Sequence, residues 1–374
     1  MSAMPHKTGI MDLATETLSE LSTHLLSTPK SFTALMTACS RIDEAISPVR
    51  YSTLVFEGSS GRKLMSILLS GSRFSARYLT NIKRVWFRGY PERELHLNTL
   101  LLADILKHSI NLVVLWMEIS NFESDRVVDR LRRNSLVRER IHPAFSIADI
   151  EDECAHYPLT LPVLKYLRLN GDSALLCLAQ HRSLREMDIG CVLDHDDFAK
   201  FVAAADGSVL GDNLKILSIK LATAIDIAMA MQFLSDAIPG LLSLSLDQTA
   251  LDMKEVLEIL GYNQSIFGEM KHILLNKTYT YRMAGGVKQP LLSGLTRRRT
   301  EDLLSKTTSV HSALELIGVG RNVFYIGEGG RFRHLLLTHS DEIWTDVFGE
   351  QFSAYSEPPS HPLGSEDVEL YDLE

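Results

Sequence analysis

The sequence has little of what marks secreted, membrane-spanning or redox-active proteins. Its 374 residues include only four cysteines, none of them in a C-x-x-C pair, so neither a disulfide framework nor a cysteine-based zinc site is indicated. No run of about 18 uninterrupted apolar residues occurs. The first residues also lack the continuous apolar core of a secretory signal. We therefore expect a cytoplasmic or nuclear protein without membrane association.

The short motifs of the common enzyme classes are also missing. The sequence has no nucleophile elbow, no H-E-x-x-H zinc motif and no Walker loop. The acidic stretch LDHDDF, 193–198, follows a strand-like run, where acids cap a helix and complement its dipole. We therefore expect no enzyme activity, no catalytic residue, no cofactor and no metal. An enzyme on an α/β scaffold is the least favoured of three hypotheses.

Basic residues are absent from the end of the chain. After Arg333 there is no Lys or Arg, but there are ten acids. The rest of the sequence carries 38 basic and 37 acidic residues, and such a nearly neutral body argues against nucleic-acid binding. We predict a disordered acidic tail over residues 351–374, which serves either as a solvated segment or as an interaction segment.

What the sequence does contain is a recurring apolar pattern, L-x-x-L-x-L. The stretch LKYLRLNG shows it at Leu164, Leu167 and Leu169, and its alternation is typical of a half-buried strand that ends at Asn170–Gly171. The copies start 30, 52, 20, 30, 27 and 29 residues apart. The apolar positions of the other copies are Ile82, Val85 and Phe87; Leu112, Leu115 and Met117; Leu184, Met187 and Ile189; Leu214, Leu217 and Ile219; Leu241, Leu244 and Leu246; and Met270, Ile273 and Leu275.

Helix-like runs separate these strands, and several of them begin at a capping residue such as Asp172, Asp196 or Asp252. Strand, turn and helix repeated at this period predict an α/β solenoid, with a parallel inner sheet and outer helices. The pattern resembles leucine-rich repeat proteins of the longer, helix-containing class. A shorter α/β array that only mimics the pattern is the alternative. We assign residues 51–312 to the solenoid.

Two further segments flank the repeats. Three strand-like runs with short glycine-containing turns predict an antiparallel β-meander over residues 313–350, which caps the last repeat. At the other end, residues 1–50 show helical spacing at Leu18, Leu21 and Leu25. A second helix is expected to follow Pro29 and to end before Pro48.

The N-terminal helices resemble an F-box. The matching residues are Leu13 and Glu16 at the start, Leu18, Leu21 and Leu25 in the first helix, Leu35, Cys39 and Arg41 in the later helix, and Pro48 with Tyr51 at the exit. Ala14 stands where the family has Pro, and Ile42 or Ser40 where it commonly has an aromatic residue. The resemblance implies a Skp-type adaptor and a cullin ligase as partners. The residues implied to contact the adaptor are Leu13, Glu16, Leu18, Leu21, Leu25, Pro29, Leu35 and Cys39. A plain helical cap on the repeats is the alternative.

The residues between the apolar positions of each strand should form the inner, concave face. Trp and Arg most often anchor protein interfaces, and Trp86 and Trp116 hold the same position in consecutive copies. The residues predicted to bind a target protein are Arg84, Trp86, Arg88, Trp116, Glu118, Tyr166, Arg168, Asp188, Lys220 and Asp247. Alternatively, the two indole rings pack internally.

Two functions follow as expectations. The first is a substrate-recognition subunit of an SCF-type ubiquitin ligase, in which the F-box-like helices dock on the adaptor and the concave face binds a target protein. Proximity of target and conjugating enzyme then needs no catalytic group in this chain. The second is a leucine-rich repeat interaction scaffold without a ligase, and the departures at Ala14 and Ile42 favour it.

Overall fold

A computed structural model describes most of the chain. The described residues are 13–25, 30–31, 34–35, 40–71, 78–88, 90, 92–119, 124–137, 161–263, 266–276, 281–284, 287–290, 297–320, 322–327 and 332–336. The predicted tail, 351–374, lies outside them, as do Pro29 and Cys39. The chain divides into two compact units. The first contains the residues up to Leu115 and a second stretch that begins at Arg130. The second unit contains Trp116–Asp129 and the residues from Leu164 onward.

The chain is α/β, with a mostly parallel sheet and helices. The strands and helices of the first unit follow one another in the order α1 (Thr15–Leu25), α2 (Ser40–Arg50), β1 (Thr53–Glu57), α3 (Gly58–Leu68), β2 (Arg84–Arg88), α4 (Glu92–His108) and the start of β3 (Val114–Glu118). Strands β1 and β2 pair in parallel, with Thr53 opposite Arg84 and Glu57 opposite Arg88. None of the helices within the described ranges is long and apolar enough to cross a membrane.

The helices α1 and α2 share a small apolar cluster. Leu18, Ile42 and Ile46 are completely buried in it, and the partly buried Leu13 and Leu35 pack against it. The prediction that α2 ends before Pro48 is wrong, because the helix continues to Arg50. A proline removes only one N–H donor, and the turn closes after it when Tyr51 N donates to Ser47 O at 3.0 Å.

One ion pair in the first unit fastens α4 to the last residues of α5 (Ser124–Arg133). Arg130 donates to both carboxylate oxygens of Asp104, from Nε at 3.0 Å and from Nη2 at 2.7 Å, and Asn134 Nδ2 donates to Oδ1 at 2.8 Å. Burial alone would raise the pKa of Asp104, but these hydrogen bonds outweigh it and hold the pKa below its usual value. The basic run 126–140 therefore supplies at least one structural cation.

The second unit contains the strand order β3-β4-β5-β6-β7-β8-β11-β12-β13. Parallel pairs join β4 to β5, β5 to β6, β6 to β7, β7 to β8, and β8 to β11. The strands are β4 (Tyr166–Asn170), β5 (Glu186–Leu193), β6 (Ile216–Leu221), β7 (Ser243–Asp247), β8 (His272–Leu275), β11 (Leu316–Val319), β12 (Asn322–Ile326) and β13 (Phe332–Leu336). The hairpin of β9 (Tyr281–Ala284) and β10 (Val287–Pro290) forms a separate sheet.

The recurring apolar triplets form the core, as their spacing predicts. Every residue named above for the seven copies of L-x-x-L-x-L is at most 2% exposed. The run LELIGV continues the same spacing, since Leu314, Ile317 and Val319 are also buried. Its strand β11 therefore extends the parallel series, and β12 and β13 then turn antiparallel, as expected for the C-terminal segment.

Four helices of the second unit begin at a capping aspartate, whereas the helix Val209–Asn213 begins at Ser208. Asp172 accepts from Ala174 N and starts a short 3-10 helix, Ser173–Leu178, which fills the 20-residue spacing. The cap of α6 (His195–Ala205) is Asp194 rather than the predicted Asp196, because Asp194 Oδ1 accepts from Asp197 N at 2.9 Å. The next helices are α7 (Val209–Asn213), α8 (Ile227–Ala237, capped by Asp226), α9 (Met253–Tyr262, capped by Asp252) and α10 (Arg297–Val310).

Candidate functional site

One face of the second unit's sheet collects most of the predicted target-binding residues. Because the parallel strands are in register, residues at equivalent positions form rows across them. Tyr166, Glu186, Ile216, Ser243 and His272 stand opposite one another in one row. We call this the polar face, and its members are Trp116, Glu118, Tyr166, Arg168, Asn170, Glu186, Asp188, Ser218, Lys220, Ser243, Ser245, Asp247, His272 and Asn276.

A cation–π contact joins β3 and β4 on this face. The guanidinium of Arg168 lies 4.3 Å from the centre of the Trp116 ring, and its Nε is 3.1 Å from Asp188 Oδ2. The Trp116 ring is only 7% exposed, whereas the Arg168 side chain is 27% exposed. The arrangement favours the alternative of internal packing for this tryptophan, with Arg168 as the reachable member of the stack.

Asn170 holds the next position along β4. Its Nδ2 donates to Glu118 Oε1 at 3.5 Å, and its main-chain oxygen accepts from Ile119 N at 2.9 Å. Gly190 on β5 leaves the space that the Asn170 side chain fills, because a Cβ at Gly190 would overlap Asn170 Oδ1. The register of β5 against β6 then shifts between Ile189 and Val192. Glu118, Asn170 and Lys220 are half-buried at this end of the face.

Glu186 is the most unusual residue of the face. It is 2% exposed, and in the described structure its Oε2 accepts no hydrogen bond. Its Oε1 lies 3.9 Å from Arg185 Nε. Burial raises the pKa of Glu186 to about 7, and the Arg185 charge offsets this only in part. Near neutral pH this carboxyl group therefore exchanges between its charged and neutral forms.

A serine, a histidine and a carboxylate follow one another across β7, β8 and the start of β11. Ser243 Oγ and His272 Nδ1 are 2.9 Å apart, and His272 Nε2 is 3.8 Å from Glu315 Oε2. Hydrolases use the same three groups, but Ser243 is 3% exposed and cannot meet a substrate in this conformation. Burial lowers the pKa of His272. The charge of Lys271 also lowers this pKa, and the charge of Glu315 raises it but does not reverse the shift. The contact is therefore a neutral cross-strand hydrogen bond.

A buried amide pair orders the loops at the far ends of the strands. Asn276 Oδ1 accepts from Gln248 N at 2.9 Å, and Gln248 Nε2 donates to the main-chain oxygens of Ala222 and Ile225, both at 2.8 Å. Gln248 is 3% exposed and Asn276 is completely buried. These bonds join three successive strand–loop units and hold Lys220 and Asp247, which stand opposite each other, at the edge of the face.

Replacing Gln248 by Leu should therefore destabilise the second unit. The substitution leaves Ile225 O without a donor and leaves Ala222 O with only its bond from Ile225 N at 3.1 Å. We expect the free energy of unfolding to fall by about 2 kcal/mol. Urea unfolding measures this change. Gln232→Leu is the matched control, because Gln232 Nε2 donates to the exposed Asp236 at 2.9 Å and Gln232 Oε1 accepts only a longer bond, of 3.3 Å, from the half-buried Asn263. The loss of stability should stay below about 1 kcal/mol in this variant. Equal losses in the two variants would contradict the role of Gln248.

The other predicted target-binding residues lie in the first unit. Trp86 is 1% exposed, so its ring is part of the core. Arg84 is exposed, and Arg88 Nε lies 3.3 Å from Glu57 Oε2 on the neighbouring strand. Of this group, only the two arginines reach the surface.

The described adaptor residues divide by burial. Leu18 is completely buried between α1 and α2, whereas Leu13, Leu21 and Leu35 are half-buried and Glu16 is exposed. Leu25 belongs to α1, and its side chain lies outside what the structure describes. Leu18 therefore supports the helix pair, and Leu13, Leu21 and Leu35 keep part of their side chains exposed.

Sequence reasoning missed Glu186 and Gln248 as important positions. No local signal distinguishes Glu186 from other polar residues of a strand, because its burial depends on the neighbouring strands β4 and β6 and on the residues that cover them. Within the described ranges, no group of three or more His, Cys, Asp or Glu residues is arranged to hold a metal ion. Comparison with family models gives no match for the chain, and comparison with curated proteins gives none either.

Proposed function

We propose that the chain is a non-catalytic protein-recognition subunit of an SCF-type ubiquitin ligase. The N-terminal helices dock on a Skp-type adaptor, and the polar face binds a target protein. We also infer that the β–α units form a solenoid of the leucine-rich repeat type, with α1 and α2 as a degenerate F-box. The support for these assignments is the recurrence of buried apolar triplets and the leucine cluster of α1 and α2.

The polar face is the observation that carries the recognition role. Strands β3, β4 and β6 present the half-buried side chains of Glu118, Tyr166, Arg168 and Lys220 on one face, on backbones paired by hydrogen bonds. A rigid sheet holds such side chains at little further entropic cost on binding. Tyr and Arg are also the residue types that contribute most at protein interfaces. The face therefore suits a folded or extended protein ligand.

The adaptor half of the proposal makes a direct prediction. Leu21 is half-buried and lies outside the core cluster of α1 and α2, so Leu21→Asp should leave the helix pair folded and weaken adaptor binding by about tenfold or more. Glu20→Gln is the control on the neighbouring exposed position. Biolayer interferometry with a purified Skp-type adaptor measures the affinities, and circular dichroism verifies the fold.

A scaffold without a ligase is the second candidate. The observation that favours it is the complete burial of Leu18, which removes from the surface one of the leucines that the F-box resemblance assigns to the adaptor. Ala14, exposed where the family has Pro, points the same way. If the folded native chain does not bind the adaptor, this candidate replaces the ligase assignment, and the polar face keeps its role.

A further inference from the structure

A row of basic residues lies at the beginning of three neighbouring strands in the second unit. Lys165, Arg185 and Lys215 immediately precede β4, β5 and β6. The backbone fixes this row: Lys165 O accepts from the N–H groups of Arg185 and Glu186, and Arg185 O accepts from those of Lys215 and Ile216. Because neighbouring strands are about 4.8 Å apart, the three side chains start from evenly spaced positions at one edge of the sheet.

The positions of the two lysine side chains are also defined. Lys165 Nζ donates to the main-chain oxygen and the hydroxyl of Ser183, at 3.1 and 3.2 Å. Lys215 extends over Gly240, where a Cβ would meet its Nζ. Each lysine therefore reaches toward the loop that leads into the next strand. The Arg185 side chain stands between them and is 60% exposed.

The charge of this row is poorly balanced by nearby acids. Among the residues whose positions are described, neither Lys165 nor Lys215 forms an ion pair, and Arg185 has only the distant contact of 3.9 Å with Glu186. Burial raises the pKa of Glu186 to about 7, so this acid is only partly charged at neutral pH. Lys271, which precedes β8 in the same way, differs because Glu315 Oε1 lies 2.6 Å from its Nζ.

We propose that the basic row, Lys165, Arg185 and Lys215, binds an acidic segment of a partner protein. An arginine between two lysines offers one forked donor and two point charges, a set that suits successive carboxylates. Nucleic acid fits less well, because three cations neutralise few phosphates and the whole chain carries a net charge of −9. The row uses none of the residues predicted to bind the adaptor or the target protein, so it stands independently of the proposed function.

Fluorescence anisotropy on the full chain tests this site. The probe is a fluorescein-labelled peptide with glutamates at alternate positions, and its counterpart with glutamines is the peptide control. The test variant is the triple substitution Lys165→Gln, Arg185→Gln and Lys215→Gln. The protein control is Lys254→Gln, on the outer helix α9, where Lys254 Nζ is 3.7 Å from Glu258. Urea unfolding confirms that the variants are folded.

We expect the native chain and the Lys254→Gln control to bind the glutamate peptide equally, and more weakly as salt is added. The triple variant should bind about tenfold more weakly or worse, and the glutamine peptide should not bind. The proposal would be overturned if the triple variant bound the glutamate peptide as tightly as the native chain does. It would also be overturned if the native chain did not bind the glutamate peptide at low salt. A single-stranded DNA oligonucleotide that displaces the labelled peptide at a lower concentration than the unlabelled peptide does would also overturn the proposal. That result would favour nucleic acid as the ligand of the row.

Discussion

Replacing Glu186 by Gln should make the folded chain more stable at pH 8 by about 2–3 kcal/mol, and should leave its stability unchanged near pH 4. The reason is the burial of the carboxyl group on the polar face, where its Oε2 accepts no hydrogen bond within the described structure. A glutamine keeps nearly the same shape but never carries a charge. The variant therefore removes the cost of burying an anion and little else.

The pH range of the effect follows from the two pKa values of Glu186. The pKa is about 7 in the folded chain and 4.5 as the ordinary value, so the folded chain binds more protons between these limits. Stability from this group is therefore fully present below pH 4.5 and is lost as the pH rises through 7. His272 and His311 have lowered pKa values in the folded chain and act in the opposite sense, but they contribute equally to native chain and variant.

Urea unfolding of native chain and variant across pH 4–8 measures the difference directly. Glu315→Gln is the matched control, because Glu315 is exposed and its hydrogen bond from Lys271 lowers its pKa. That variant should show no gain in stability at pH 8. A Glu186→Gln variant whose stability parallels that of the native chain at every pH would mean that Glu186 is solvated, and would contradict the burial described for the polar face.

Replacing Gly171 by Ala should destabilise the second unit by about 3 kcal/mol or more. Gly171 has a φ of +116°, and a Cβ at this position would overlap the main-chain oxygen of Ile119. The two backbones meet here because Ile119 N donates to Asn170 O at 2.9 Å. An alanine must therefore adopt a disfavoured conformation and also break the contact between the ends of β3 and β4.

Gly207→Ala separates the two contributions. Gly207 also has a positive φ, of +57°, but no atom lies within 4 Å of a Cβ built there. Its substitution should cost only about 1 kcal/mol, the backbone contribution alone. Urea unfolding of both variants measures the difference. Similar losses at Gly171 and Gly207 would show that the close approach of β3 and β4 is absent in solution.

The sequence predicts the core of this protein better than its surface. The apolar triplet Leu164, Leu167 and Leu169 recurs in the other strands because each strand buries the same positions. The spacing of apolar residues in the sequence therefore predicts which positions are buried. The stop at Asn170–Gly171 is likewise visible in the residue types. The sequence places the end of α2 three residues too early, because Pro48 is tolerated within the helix, and the cap of α6 two residues too late, at Asp196 instead of Asp194.

Burial on the polar face could not be read from alternation. Alternation assigns Trp86, Trp116 and Glu186 to the face of the sheet opposite the apolar triplets. How much of each side chain remains exposed depends on neighbours from distant parts of the chain. The two tryptophans are nearly covered, whereas Arg168, Tyr166 and Lys220 remain half-buried. Gln248 bonds the loop after β6 through its side chain and Asn276 through its main-chain N–H, and this double role depends on loop geometry rather than on a local motif.

The measurement that tests the recognition role most directly is quantitative affinity capture with three forms of the full chain. They are the native chain, a polar-face variant with Tyr166→Ala and Lys220→Glu, and a control with Lys254→Glu on the outer helix α9. We expect at least one protein that the native chain and the control capture equally and that the polar-face variant does not capture. Binding of that protein should then be reproduced with purified components. Identical captured sets for all three folded chains would contradict the assignment of the polar face as the target-binding surface.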